Sequence, residues 1–153
     1  MLTKKAKYAL KAAVHLARRA PAGAVLIADI ADTERIPKKF LESILLTMKN
    51  RGLLVSRKGR GGGYALARPA DRISFGEIVR IMDGPLAPVS CVSLTAYRPC
   101  EECANEQGCE VRAVMKRVRD AISDVLDATT LADAVRDAAR RGGAKPGRTR
   151  RGG

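Results

Sequence analysis

A mainly α-helical fold carrying one small β-hairpin is predicted by three features of this 153-residue sequence. Aromatic residues are scarce, two Phe and three Tyr with no Trp, so the core must be aliphatic, which suits packed helices better than a β-sandwich. Apolar side chains recur at helical intervals in several separate stretches. Two short β-prone runs flank the glycine-rich tip Gly59-Arg60-Gly61-Gly62-Gly63. The length suits one compact domain with appendages.

The first helix is expected over residues 4–19, with Ala6, Leu10, Ala13 or Val14, and Ala17 on one face and lysines opposite, stopped by Pro21-Ala22-Gly23. A short second helix, Leu26–Asp32, turns Leu26 or Ile27, Ile30 and Ala31 inward, and Thr33-Glu34-Arg35 makes a tight connection. Pro37 suits the first turn of a third helix, where its missing N–H would have no partner anyway. That helix runs to about Arg51 and buries Phe40, Leu41, Ile44, Leu45 and Met48, with Gly52 as its terminator. Leu53–Lys58 and Tyr64–Leu66 then form the hairpin. Three helices followed by such a hairpin make a winged helix-turn-helix.

Ser74 and Glu77 form a capping box that opens a helix ending at Gly84-Pro85. Prolines 85, 88 and 99 make residues 85–109 a loop. Beyond it, Val111, Met115, Val118, Ile122 and Val125 trace a heptad seam. The seam fits a long C-terminal dimerisation helix, or an apolar face laid over the chain's own core. Thr130 and Asp133 open a last short helix. The expected organisation is a DNA-binding domain over 1–84, a cysteine-bearing sensor loop over 85–110, the dimerisation helix and terminal helix over 111–139, and a disordered basic tail over 140–153.

Charge is unevenly spread. Residues 1–72 hold 16 Lys/Arg against 5 Asp/Glu, residues 73–139 hold 7 against 11, and residues 140–153 add six bases and no acid. A field this lopsided favours a polyanion meeting the N-terminal half and the tail. No apolar run approaches the roughly 18–20 residues of a membrane span. Lys11 interrupts what would otherwise pass for a secretory signal, so a cytoplasmic, reducing location is expected; an organellar presequence is the alternative.

A recognition helix places its N-terminal side chains against base edges in the major groove. Here those are Lys38, Lys39, Glu42 and Ser43. The lysines suit phosphates or guanine acceptors. Glu42 suits cytosine N4, or else pairs with Lys38 or Lys39. At the wing, Arg57, Lys58 and Arg60 stand among glycines, Gly61 and Gly62 included, that permit close approach to a phosphate backbone. Tyr64 either packs beneath the wing or touches DNA.

All four cysteines fall in one stretch, as Cys91-x8-Cys100-x2-Cys103-x5-Cys109. In a reducing compartment such thiols are ligands or redox groups rather than structural disulfides. An iron–sulfur cluster, a closed four-thiolate zinc site and a reversible thiol switch all fit, as do four unpaired thiols in an apo form. Glu101, Glu102, Glu106 and Glu110 are expected to raise the thiol pKa values when nothing is bound. The lone His15 reads as a packing or surface residue.

The segments MLTKKAKYALKAAVHLA, IPKKFLESILLTMKNRGLLVSRKGRGGGYALARP, FGEIVRIMDGPLAPVSC and TTLADAV together resemble the IscR, NsrR and RirA family of bacterial winged-helix regulators, from Leu2 to about Val135. The resemblance implies a homodimer on palindromic double-stranded promoter DNA, held by the long C-terminal helix. It also implies a 2Fe–2S or 4Fe–4S cluster on three cysteines, although members without one exist. Cys91, Cys103 and Cys109 correspond to those three, and Cys100 is extra. Where some relatives place a ligating His after the third cysteine, this chain has Arg112. Where some place a carboxylate near the start of the first helix, it has Lys7. Cys100 is therefore the candidate fourth ligand. The expected function is a transcription regulator, repressor or activator, that senses redox, iron or nitric oxide state. An RNA-binding protein or a thiol redox enzyme fits less well: stacking aromatics are few, and the features of a substrate-binding fold are lacking.

Overall fold

The computed structural model describes residues 2–142. Its six helices and one hairpin are α1 (Lys4–Arg19), α2 (Ile27–Glu34), α3 (Lys38–Asn50), β1 (Leu54–Arg57), β2 (Gly63–Leu66), α4 (Phe75–Asp83), α5 (Glu110–Ala128) and α6 (Leu131–Gly142). This is the winged helix-turn-helix with a long helix behind it.

Thr3 caps α1, its Oγ1 accepting from the Ala6 N–H at 3.1 Å. The helix is central, packing against α2, α3, α4 and α6. Its buried face is accordingly Ala6, Ala9, Ala12, Ala13, His15 and Leu16, rotated from the expected one, while Leu10 and Val14 are half-buried. Alanine wins that face because neighbouring helices come close from several directions.

The second helix starts one residue later and runs two residues further than its pattern suggests. Leu26 lies outside the core as its N-cap residue and is 53 % exposed. Arg35 closes it in the left-handed region at φ 55°, and the Ile36 N–H reaches the Ala31 carbonyl at 3.0 Å. Pro37 flanks α3 rather than lying inside it, and its carbonyl accepts the Leu41 N–H at 2.9 Å. Leu41, Ile44, Leu45 and Met48 are buried, and Phe40 meets Tyr8 edge-on with ring centroids 5.5 Å apart. Gly52, at φ 79°, lets Leu53 turn back and donate to the Met48 carbonyl at 2.9 Å.

The strands pair antiparallel, from Leu54 opposite Leu66 to Arg57 opposite Gly63. Val25 joins β2 through reciprocal 2.8 Å bonds with Tyr64, which anchors the wing to the helical core. Gly63 makes this possible, because a Cβ there would lie 2.1 Å from the Val25 carbonyl oxygen.

Ser74 caps α4 by accepting from the Glu77 N–H at 3.2 Å. The return half of that capping box is not made: the Glu77 carboxylate pairs with Arg68 instead. The box at α6 closes both ways, Thr130 N–H to Asp133 at 3.0 Å and Asp133 N–H to Thr130 at 3.1 Å. Leu131 is fully buried in the same core as α1, so α6 packs back on the N-terminal domain. It continues through Arg140 and Arg141 to Gly142, into the stretch expected as a disordered tail; residues 143–153 lie outside the described part of the chain.

Candidate nucleic-acid interface and cysteine cavity

The helix-turn-helix turn is tied down by polar contacts to α1. Glu34 Oε1 lies 3.0 Å from His15 Nδ1 and 2.8 Å from Arg18 Nη2, and Lys11 donates to the Glu34 carbonyl. His15 is buried, and its Nε2 has no hydrogen-bond partner. Of the two expected roles the structure assigns it packing, joined to a hydrogen bond that orients α2 on α1.

From that base α3 projects Lys38, Lys39, Glu42 and Ser43, all exposed. Lys38 and Glu42 line a groove of about 410 Å³ together with Arg57, Gly63 and Tyr64, with Leu26–Ala28 at the start of α2 as another wall. Lys39 and Ser43 are on the helix but outside that groove, and the Ser43 hydroxyl donates to the Phe40 carbonyl at 2.9 Å. Lys58, Arg60 and Gly61 stand exposed at the wing tip. Gly62 is buried: a Cβ there would meet the Arg57 and Gly59 carbonyl oxygens at 2.5 and 2.6 Å, so the approach it permits is of the wing to itself. Tyr64 is half-buried against the core while still facing the groove. Among the described residues no ion pair involves Lys38, Lys39, Glu42, Arg57, Lys58 or Arg60, so this cationic surface and its one carboxylate are uncommitted. Ser56, which the sequence did not mark, and Leu26, expected to face the core, also line the groove; nothing local marks a residue that becomes part of a wall through tertiary contact.

All four cysteines line one cavity of about 580 Å³, with Glu102, Glu106 and Arg112. Cys91 sits on a 3-10 turn, Ser90–Val92, and is buried. Cys100 is exposed, and Cys103 and Cys109 are half-exposed. The Cys103 N–H reaches the Cys100 carbonyl at 3.3 Å, making Cys-x-x-Cys a turn. Cys109 is the N-cap of α5, its Sγ accepting from the Arg112 N–H at 3.4 Å. Glu106 braces the loop from within: the Tyr97 hydroxyl donates to it at 2.6 Å and the Cys100 N–H at 3.2 Å. These bonds hold its carboxyl below the usual range. Burial pushes the Cys103 thiol up, with a smaller contribution from the neighbouring Cys109 and Cys100 sulfurs. The expected carboxylate effect is therefore replaced there by desolvation and by sulfur itself.

Four soft donors facing one cavity on a loop match the needs of a multi-iron cluster. Among the described residues no three His, Cys, Asp or Glu side chains are grouped tightly enough to hold a metal ion, so zinc and a cluster alike would need the thiols to draw together.

The long helix behind the cavity turns its apolar seam outward. Val111 and Val125 are 65 % and 64 % exposed, Val118 and Ile122 are also exposed, and Met115 is half-buried. The face toward the chain's own body carries Arg112, Arg119, Ser123 and Leu126. The seam does not cover the chain's own core. Among the described residues no helix is long and apolar enough to cross a membrane.

Residues 2–137 match Rrf2, a family described as iron-dependent transcriptional regulators. A Rhodobacter capsulatus protein described as an rrf2-like HTH-type transcriptional regulator is 43% identical over 136 residues, covering 87% of this chain and 91% of that one. The HTH-type transcriptional regulator CymR of Bacillus subtilis is 32% identical, over 86% of this chain and 87% of its own. Its solved structure, described as that of the global cysteine regulator, aligns with a TM-score of 0.74 at 31% identity, covering 88% of this chain and 95% of that one. The T. potens IscR structure aligns at 0.76 and 27% identity, covering 95% and 93%.

Proposed function

This chain belongs to the Rrf2 family of transcriptional regulators, and from that premise we propose that it is a homodimeric, DNA-binding regulator whose cysteine cavity holds an iron–sulfur cluster and sets operator affinity. The observation that carries the reading is the convergence of Cys91, Cys100, Cys103 and Cys109 on one cavity that ends at the N-cap of α5. Cys91, Cys103 and Cys109 would hold a 2Fe–2S or 4Fe–4S cluster, and Cys100 supplies the fourth thiolate. Such a cluster supplies sensitivity to electrons, oxidants, iron supply and nitric oxide.

The chain's own residues do the rest. Lys38, Lys39, Arg57, Lys58 and Arg60 take phosphates or guanine acceptors, and Glu42 accepts from cytosine N4. The seam Val111, Met115, Val118, Ile122 and Val125 packs on a second copy, which would otherwise leave those side chains in water. Two recognition helices then read two half-sites whose spacing follows the geometry of the dimer. A palindromic duplex is the matching target, and the cytoplasm the matching location.

Thiol switching is the second reading, favoured by the Cys100–Cys103 turn and by the absence, among the described residues, of a contracted metal site. There, two thiols give up two electrons and two protons to a hydroperoxide, forming a disulfide while the peroxide becomes water and an alcohol. The deciding experiment is anaerobic purification with an absorption spectrum and iron, sulfide and zinc assays. Iron and sulfide with visible absorption support the cluster. A colourless protein with stoichiometric zinc, or with neither metal and four titratable thiols, replaces it.

A further inference from the structure

Among the described residues, the hydrogen bonds that tie the long helix to α4 and to the Ser90–Val92 turn all come from arginine side chains. Of its 19 residues only Arg119 is buried. Arg119 Nη1 donates to the Val92 carbonyl at 2.6 Å, while its Nε and Nη2 are held on Asp120 Oδ1 at 2.9 and 2.6 Å. Two turns earlier, Arg112 Nε donates to the Cys91 carbonyl at 3.3 Å. Two turns later, Asp127 takes a bidentate bond from Arg80 of α4 at 2.6 and 2.9 Å. Cys91 and Val92 are themselves buried, so their carbonyls have little recourse to water if the arginines withdraw.

We propose that Arg112 and Arg119 form a clasp that transmits the state of the cysteine cavity to α5, by gripping the two successive carbonyls of Cys91 and Val92. The clasp rests on the reading of that cavity as the sensing site, and it names how the state of the site leaves it.

The physical reason lies in the kind of contact. An apolar interface tolerates sliding, whereas a hydrogen bond weakens steeply with small displacements and bent angles. Cys91 contributes its sulfur to the cavity and its carbonyl to Arg112. Any change in what its sulfur is bonded to shifts a turn of only three residues, and with it both gripped carbonyls. The opposite face of α5 is the exposed apolar seam, so a helix that tilts or loosens on the arginine side changes the surface offered to the second copy. Arg112, which lines the cavity and grips the Cys91 carbonyl, thereby has a role as a positioning residue.

The test compares the full-length, anaerobically purified protein before and after hydrogen peroxide, by amide hydrogen exchange and by affinity for a duplex selected from random DNA with the untreated wild type. In wild type, peroxide should change exchange in both 85–110 and 111–128, and shift DNA affinity by about five-fold or more. In Arg119→Met, 85–110 should still respond while α5 does not, and the affinity ratio should fall to about two-fold or less. Arg119→Lys, which keeps a donor for the Val92 carbonyl, should restore part of the α5 response. Should Arg119→Met fold poorly, Arg112→Gln at the more open end carries the same expectation. An α5 response of wild-type size in the folded variants overturns the clasp alone. A wild-type protein whose loop, helix and DNA affinity all ignore peroxide overturns the sensing site and the clasp together.

Discussion

Arg35 occupies the left-handed turn between α2 and α3, where glycine would be free of strain and an L-residue pays roughly 1–2 kcal/mol. Its backbone serves the turn, and none of the ion pairs among the described residues involves its side chain. Arg35→Gly should therefore stabilise the fold by about 0.5–1 kcal/mol, read as a higher urea midpoint at unchanged m-value. Cys100 poses the opposite problem, an exposed thiol with a proposed role. Cys100→Ser should lower the iron and sulfide retained per chain, leaving Cys91, Cys103 and Cys109 to hold a weaker site. Unchanged metal content and unchanged visible absorption would remove Cys100 from the ligand set. Glu106 shows how one carboxylate organises such a loop, since it takes bonds from both Tyr97 and the Cys100 backbone.

At the level of elements, α5 is the unusual one: it leaves an apolar stripe in solvent among charged residues, while its one buried side chain is Arg119. Replacing Ile122 with arginine should convert the proposed dimer to monomer in sedimentation equilibrium, and an unchanged mass would take the seam out of the interface. With Ile122 37 % exposed, each copy forfeits about 0.5–1 kcal/mol of further side-chain burial and gains a charge in the seam. The far end of α5 is pinned by Arg80, whose hydrogen bonds hold the Asp127 carboxyl below its ordinary value. Because the folded form favours the carboxylate, this stabilisation is complete above the unfolded carboxylate pKa of about 4 and is lost as pH falls through the depressed folded value. Acid titration followed by near-UV or fluorescence signals should show that loss, and Asp127→Asn should flatten it. Both partners are substantially exposed, so the effect is a modest slope rather than a collapse. Gly76 belongs to the same joint: a Cβ there would stand 2.0 Å from Asp127 Oδ1.

For the whole molecule, the basic excess of residues 1–72 includes Lys38 and Lys39 of the recognition helix and Arg57, Lys58 and Arg60 of the wing, whereas residues 73–139 hold the acidic excess and all four cysteines. Residues 143–153 carry four further bases, Lys145, Arg148, Arg150 and Arg151. Removing them should weaken DNA binding at low salt and reduce the slope of log affinity against log salt by up to about 3.6 per chain if all four meet phosphates. An unchanged slope would place those charges off the DNA.

Much of the architecture was legible from local chemistry. Gly52, Ser74 and the Thr130–Asp133 box mark helix ends because capping is settled within a few residues, and the glycine tip between two β-prone runs marks the wing for the same reason. The family resemblance and the four clustered cysteines likewise stand in the order of residues. What periodicity could not decide is which face of a helix is covered, since burial depends on elements distant in sequence. The α1 helix buries its alanines rather than Leu10 because α2, α3, α4 and α6 surround it. Leu26 is left largely outside the core, His15 is buried under the turn, and Gly62 closes the wing on itself. The heptad seam of α5 was visible as a stripe, but only the tertiary structure turned it outward and put arginines on the cysteine segment. Spacing along the chain determined that these groups exist, and the packing of distant segments decided what each of them faces.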